Sequence, residues 1–238
     1  MIKVDLCRVY KNKDFYLDIS NINFKEGHSY FIIGSSGSGK TTFIKTILGL
    51  EKSKKEVDIY RVIDNVSYKL ENKKYKEGLI YFSQELNLWE HLSVVEHINF
   101  TITAGKSIKD IDESFYYLEL VNLKDKAKIK PKYLSQGEKQ RLALARALSA
   151  KPKFLFLDEP FANIDIVQAN RFMYIIKDEQ KRNNFSLVKV THNFIGIDNL
   201  DNIIIVLENG KVTFKGSYKD MIKDNQTEWI EEWKRLMQ

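Results

Sequence analysis

The chain has 238 residues, 43% hydrophobic and 29% charged, with 38 Lys and Arg against 32 Asp and Glu for a net charge of +6. That length holds one large domain, or one with an inserted subdomain, and the balance excludes disordered and collagen-like chains. The single cysteine, Cys7, excludes an intrachain disulfide and suits a reducing compartment.

Much of the excess charge sits in the run from Lys52 to Lys55 and in the alternating series Lys124, Lys126, Lys128, Lys130 and Lys132. These read as solvated faces. No aromatic residues interleave with them as single-stranded nucleic acid would require, so no specific nucleic-acid binding is expected. Asp5 and Arg8 interrupt any secretory pattern at the start. Apolar runs such as Ile203 to Leu207 reach five residues, where a spanning helix needs about 20. The chain is therefore expected not to cross a membrane and to be cytosolic, docked on something else if it works at one.

In chain order, Ile2 to Val9 and Phe15 to Phe24 predict strands, being short and rich in β-branched and aromatic residues, with Lys11 to Asp14 between them. Cys7 reads there as a small buried hydrophobe. Ser29 to Ile33 is a continuous apolar run, as a fully buried strand has. The Gly-rich stretch Gly34 to Gly39 follows, and Thr41 to Leu50 has helical spacing with Gly49 near its end. Val57 to Ile63 and Leu79 to Phe82 predict further strands, and Ser93 to Leu123 is mostly helical. A helix runs from Ser135 through Leu148, a buried strand from Phe154 to Leu157, and another helix from Ile164 to Lys181. Leu187 to Val190 and Ile203 to Leu207 are strands, and Asn209-Gly210 turns the latter into Lys211 to Phe214. The segment Glu228 to Met237 is amphipathic. Strands alternating with helices imply an α/β fold with a mostly parallel sheet covered on both faces. The region from about 85 to 150 lacks a convincing strand and is expected to form an inserted helical subdomain.

Gly34-Ser35-Ser36-Gly37-Ser38-Gly39-Lys40-Thr41 fits G-x-x-x-x-G-K-[ST], after an apolar strand and before an apolar helix. Glycines let the backbone curl so that N–H groups point inward at phosphate oxygens, and the helix adds its positive end. Lys40 would neutralise β- and γ-phosphates, and the Thr41 hydroxyl would ligate Mg2+. A cradle of this kind binds a nucleotide and leaves the reaction open. The run Phe154 to Leu157 delivers Asp158 and Glu159 to a strand end. Asp158 would reach the Mg2+ sphere, and Glu159, pointing differently, is the candidate to polarise an attacking water.

Leu134-Ser135-Gln136-Gly137-Glu138-Lys139-Gln140-Arg141 resembles the L-S-G-G-Q-x-Q-R signature of ABC ATPases, and the resemblance covers essentially the whole chain. Ala162-Asn163-Ile164-Asp165 is similar to the family's D-loop, Thr191-His192 to its switch histidine, and Gln84 to its Q-loop glutamine. Tyr10, 24 positions before Gly34, resembles the aromatic on which adenine stacks. The resemblance implies a P-loop NTPase fold with an N-terminal antiparallel β portion, and ATP and Mg2+ as cofactors. It implies nucleotide contacts from Tyr10, residues 34 to 42 including Thr42, and Ser135, Gly137 and Asp165. Metal contacts would come from Thr41, Gln84 and Asp158, and catalysis from Glu159, His192 and Gln84. It also implies a homodimer or heterodimer closing head to tail around two nucleotides. Such a subunit would power a transporter from the inner face of the cytoplasmic membrane, through separate transmembrane permease subunits.

Gln136 stands where the family has glycine, and Glu138 where it has Gln; Gln136 puts a side chain where backbone is usual, so the site is read as tuned. Two alternatives stay open here: a non-transport ABC ATPase doing mechanical or signalling work, and a regulatory subunit with weak hydrolysis. Trp89, Leu88 and Leu92, after Gln84, are either core or an exposed patch for a partner's coupling helix. His28, His91 and His97 lack metal-ligand spacing and are assigned no role.

Overall fold

The computed structural model describes residues 1–10, 16–103, 111–160, 164–192, 196–197 and 202–223. β1 (Ile2–Tyr10) pairs antiparallel with β2 (Tyr16–Phe24). On its other edge β1 meets a later strand, with a bulge between Val4 and Leu6. The bulge has a reason in the sequence. Ile2 and Val4 face inward, then Cys7 and Val9 do, and one extra residue at Asp5 absorbs the change of phase.

β3 (Ser29–Ile33) is almost wholly buried and runs into the Gly-rich loop, from which α1 (Lys40–Ile47) starts. The helix ends before the expected Leu50, because Gly49 turns the chain at φ 71°. β4 (Lys54–Ile63) is the second partner of β1. β5 (Val66–Lys69), which the sequence reading missed, pairs back on β4 through Asp64 and Asn65 at φ 49° and 62°. Two consecutive left-handed residues are what a tight hairpin needs, and Asp-Asn was its signal.

β6 (Leu79–Phe82) precedes α2 (Val94–Ile102), α3 (Ile111–Leu120) and α4 (Gln136–Ser149), and β7 (Phe154–Asp158) follows them. No strand lies between β6 and β7 among the described residues, and the three helices pack on one another. α5 (Ile166–Asn183) starts two residues later than expected, with Asp165 as its cap. β8 (Ser186–Val190), β9 (Ile203–Glu208), β10 (Lys211–Ser217) and α6 (Tyr218–Lys223) complete the described part. The segments Lys11 to Asp14 and Glu228 to Met237 lie outside the described residues.

Two sheets result. The antiparallel one has the order β2-β1-β4-β5, and the larger one β10-β9-β3-β8-β7-β6, parallel except for β9 with β10. α1 is wedged between them, its Phe43, Ile44 and Ile47 buried with Cys7 and Ile19 on one side and Phe156 and Leu207 on the other. The opposite face of the large sheet, with Phe31, Leu155, Leu157 and Val206, is covered by helices including α4 and α5. A parallel sheet buried on both faces is what the apolar runs predicted. Burial of each such side chain contributes roughly 1.5–3 kcal/mol before the entropy of ordering is charged against it. The wedge also sets the site, because it aims the first turn of α1 at the C-terminal edge of the large sheet.

Candidate active site

The phosphate loop is tied down from three directions. A Cβ on Gly34 would lie 2.0 Å from the Leu207 carbonyl oxygen, so only glycine lets the loop cross β9 this closely. The Lys40 ammonium donates to the Gly34 and Ser35 carbonyls at 2.9 and 2.8 Å, folding back over the loop. Burial lowers its pKa, and the nearby Glu159 and Asp158 carboxylates partly offset that. The Gly210 N–H donates to the Ser38 carbonyl at 3.2 Å, anchoring the loop on the β9–β10 turn. Inside the loop the Ser38 hydroxyl is buried without a hydrogen-bond partner. A buried orphan hydroxyl facing curled backbone is the mark of a cradle built for a polar ligand.

Asp158, 4% exposed at the end of β7, accepts from the Thr41 hydroxyl through Oδ1 at 2.7 Å. Its Oδ2 accepts from the Tyr81 hydroxyl at 2.6 Å. Glu159 turns away in the left-handed region at φ 47°, and its N–H donates to the Val190 carbonyl at 3.0 Å. Non-glycine residues held there cost about 1–3 kcal/mol, which the surrounding sheet must offset. The turn brings Glu159 Oε2 to 2.9 Å from Nδ1 of His192, which is exposed just past β8.

Gln84 is exposed beyond β6 and shares a recess of about 250 Å³ with Thr41, Lys45, Tyr81 and Asp158. Thr41, Asp158 and Gln84 thus converge as hard oxygen donors, a set that fits Mg2+ with room left for phosphate and water oxygens.

The remaining sequence-derived residues stand elsewhere. Ser135 caps α4, its hydroxyl accepting from the Glu138 N–H at 3.3 Å, while Glu138 Oε2 accepts from the Ser135 N–H at 2.9 Å. Lys126, and then the Ser135 backbone, hold the Glu138 carboxyl below its usual range. Glu138 therefore completes a capping box at the position where the resemblance has Gln. Ser135 is exposed and Gly137 half-buried, and neither lines the recess of its own chain. Asp165 caps α5 by accepting from the Gln168 N–H at 2.9 Å. The Tyr10 ring packs 5.3 Å from Tyr16. The Tyr16 backbone abuts Gly210, whose own N–H bonds Ser38, so this pair belongs to the same end of the molecule as the loop. Ala162 and Asn163 lie outside the described residues.

Three contributors were missed in the sequence. Tyr81 carries its hydroxyl on a strand that otherwise reads as core. Arg146 of α4 donates to the Leu86 and Asn87 carbonyls at 2.7 Å each and lies over the Trp89 ring. His97 accepts from the Trp89 N–H at 3.0 Å and donates from Nδ1 to the Ser93 carbonyl at 2.8 Å, and burial lowers its pKa. Together Arg146 and His97 clamp the segment after Gln84 onto the helices. A groove of about 170 Å³ runs beside it, lined by residues that include Leu86, Trp89, Arg146 and Ala150.

The family model described as ABC transporter matches residues 17–162. The chain belongs to the ABC transporter family. The match spans the phosphate loop, Gln84, the signature and the Asp158-Glu159 pair. The chain is 32% identical to the molybdate/tungstate import ATP-binding protein WtpC of Pyrococcus abyssi, over 92% of its own length and 63% of that protein's. It is 31% identical to the probable ABC transporter ATP-binding protein PEB1C of Campylobacter jejuni, over 96% of its own length and 95% of that one. Among solved structures it superposes with a TM-score of 0.75 and 26% identity on the dimeric ATP-binding cassette MJ0796 in a post-hydrolysis state with ADP and Pi. That likeness covers 91% of this chain and 98% of the other. As a member of this family the chain is an ATP-binding subunit and an ATPase. No helix among the described residues is long and apolar enough to cross a membrane.

Proposed function

We propose that this ATPase powers an ABC transporter as one of two subunits that close head to tail around two Mg-ATP, with Glu159 as the general base. The observation that carries this reading is the grouping at the ends of β7 and β8: Asp158 bound to Thr41, and Glu159 held in a left-handed turn against His192. Adenine lies against Tyr10, and the phosphates lie in the loop from Gly34 to Thr42, with Lys40 exchanging its bonds to loop carbonyls for phosphate oxygens. Thr41, Asp158 and Gln84 would hold Mg2+, which supplies neutralising charge for the β- and γ-phosphates. Glu159 takes the proton of the attacking water, with the His192 ring beside its Oε2.

Ser135, Gly137 and Asp165 do not line this recess in their own chain. They serve the second subunit's nucleotide. The exposed cap supports this for Ser135: its hydroxyl stands at the start of α4, at the positive end of the helix, where a γ-phosphate of the facing subunit would meet it. A separate transmembrane permease docks in the groove beside Trp89, whose backbone is braced by Arg146 and His97, and this holds the cassette at the cytoplasmic face of a membrane. The relative named as an import ATP-binding protein supports import as the direction.

Glu159→Gln tests the assignment of the base. ATP affinity should stay within a few-fold of the parent while steady-state hydrolysis falls by about 10²- to 10⁴-fold. Turnover that survives the substitution sinks the assignment.

A further inference from the structure

Tyr81 has no part in the scheme above, yet its hydroxyl is one of two donors on the metal-binding carboxylate. It lies on β6, in register with Phe156 of β7, and so stands two positions along the register from Asp158, on the same face of the sheet. From there the O–H reaches Asp158 Oδ2 at 2.6 Å while Thr41 takes Oδ1 at 2.7 Å. Both oxygens of Asp158 are thus pinned from opposite sides, by side chains 77 residues before it and 117 residues before it in the chain. The ring is half-buried and lines the same recess as Thr41 and Gln84. A phenol that donates to one oxygen of a carboxylate fixes the plane of that carboxylate and leaves the remaining lone pairs directed at the ion or its water. Carboxylates that serve metals are held by partners of this kind.

We infer that Tyr81 is a positioning residue for Mg2+, fixing Asp158 through Oδ2 so that the ion's affinity depends on a hydroxyl that touches neither nucleotide nor metal. This rests on the reading of Thr41 and Asp158 as the metal pair. Tyr81 also stands three residues before Gln84, so the strand that brings the sensor glutamine to the recess brings the support of the carboxylate with it.

The test is a Mn2+ titration of the intact chain with ADP saturating, following free ion by electron paramagnetic resonance, in the parent, Tyr81→Phe and Asp158→Asn. Tyr81→Phe should raise the apparent dissociation constant for Mn2+ by about tenfold or more. ADP affinity measured in EDTA should be unchanged. A Mn2+ affinity equal to the parent's, or an equal loss of ADP affinity in EDTA, overturns the role of Tyr81. Should the phenylalanine form fail to fold, Tyr81→Leu carries the same expectation. Asp158→Asn separates the two levels: if it too leaves Mn2+ binding intact, the metal-pair reading falls with the inference. If it weakens binding while Tyr81→Phe does not, the inference alone falls.

Discussion

Lys189 is fully buried in the middle of β8, between Phe31 of β3 and Leu157 of β7, with its ammonium over the Phe31 ring. Burial lowers its pKa to about 7, with Glu159 partly offsetting the effect. The folded pKa lies below the ordinary lysine value of about 10.4, so between those two values the unfolded chain holds a proton that the folded chain has lost. Stability from this residue therefore rises with pH from about 7, and below that the full cost of the buried charge is present. Cys7 works against that trend, since burial lifts its thiol to about 12 and the folded chain holds its proton longer. The comparison with Lys189→Met cancels the thiol. The variant should be more stable at pH 6.5, by an amount that shrinks as the pH is raised toward 10, in urea unfolding followed at several pH values. An advantage that does not change with pH would contradict the assignment. The motif residues around Lys189 were readable because their types and spacing are local. Lys189 itself was passed over because a lysine in an apolar run gives no hint of which way it points.

At the scale of elements, the segment after Gln84 is held by side chains of a helix roughly 60 positions later. Arg146 gives two charge-assisted hydrogen bonds to its carbonyls, the one to Leu86 part-buried and the one to Asn87 exposed to solvent. Arg146→Ala should release it, and hydrogen exchange at Trp89, whose N–H bonds His97, should quicken by about tenfold or more. Arg146→Lys should rescue little, because a point charge cannot bridge two carbonyls. Unchanged protection at Trp89 would mean that His97 holds the segment alone. Trp89 is both core and patch in this arrangement: its ring stacks on His97, meets Phe100 edge-on and also lines an open groove.

For the whole molecule, the proposed assembly rests on the half-sites. The loop, Asp158, Glu159 and His192 gather at one sheet edge, while Ser135 and Gly137 begin a helix whose cap is exposed. Under the proposed head-to-tail closure, two copies would satisfy both halves. Glu159→Gln with ATP should therefore run at twice the chain's mass in light scattering and return to single mass without nucleotide. Adding Ser135→Arg should keep it single with ATP still bound. A single mass for Glu159→Gln at saturating ATP would count against the head-to-tail arrangement.

The sequence by itself determined the alternation of strands and helices, and the phosphate loop and its companions in order. All of these rest on residues within a few positions of one another, where periodicity and backbone chemistry act directly. It also carried the Asp64-Asn65 hairpin, in a turn signal that was overlooked. Tertiary structure alone decided that Tyr81 meets Asp158, that Glu159 turns back to His192, and that Lys189 lies buried beside them. Those contacts follow from the strand order β6-β7-β8-β3, which places side by side residues that the chain separates by 32 to 158 positions. Strand order is set by how the whole core packs, and no local spacing encodes it.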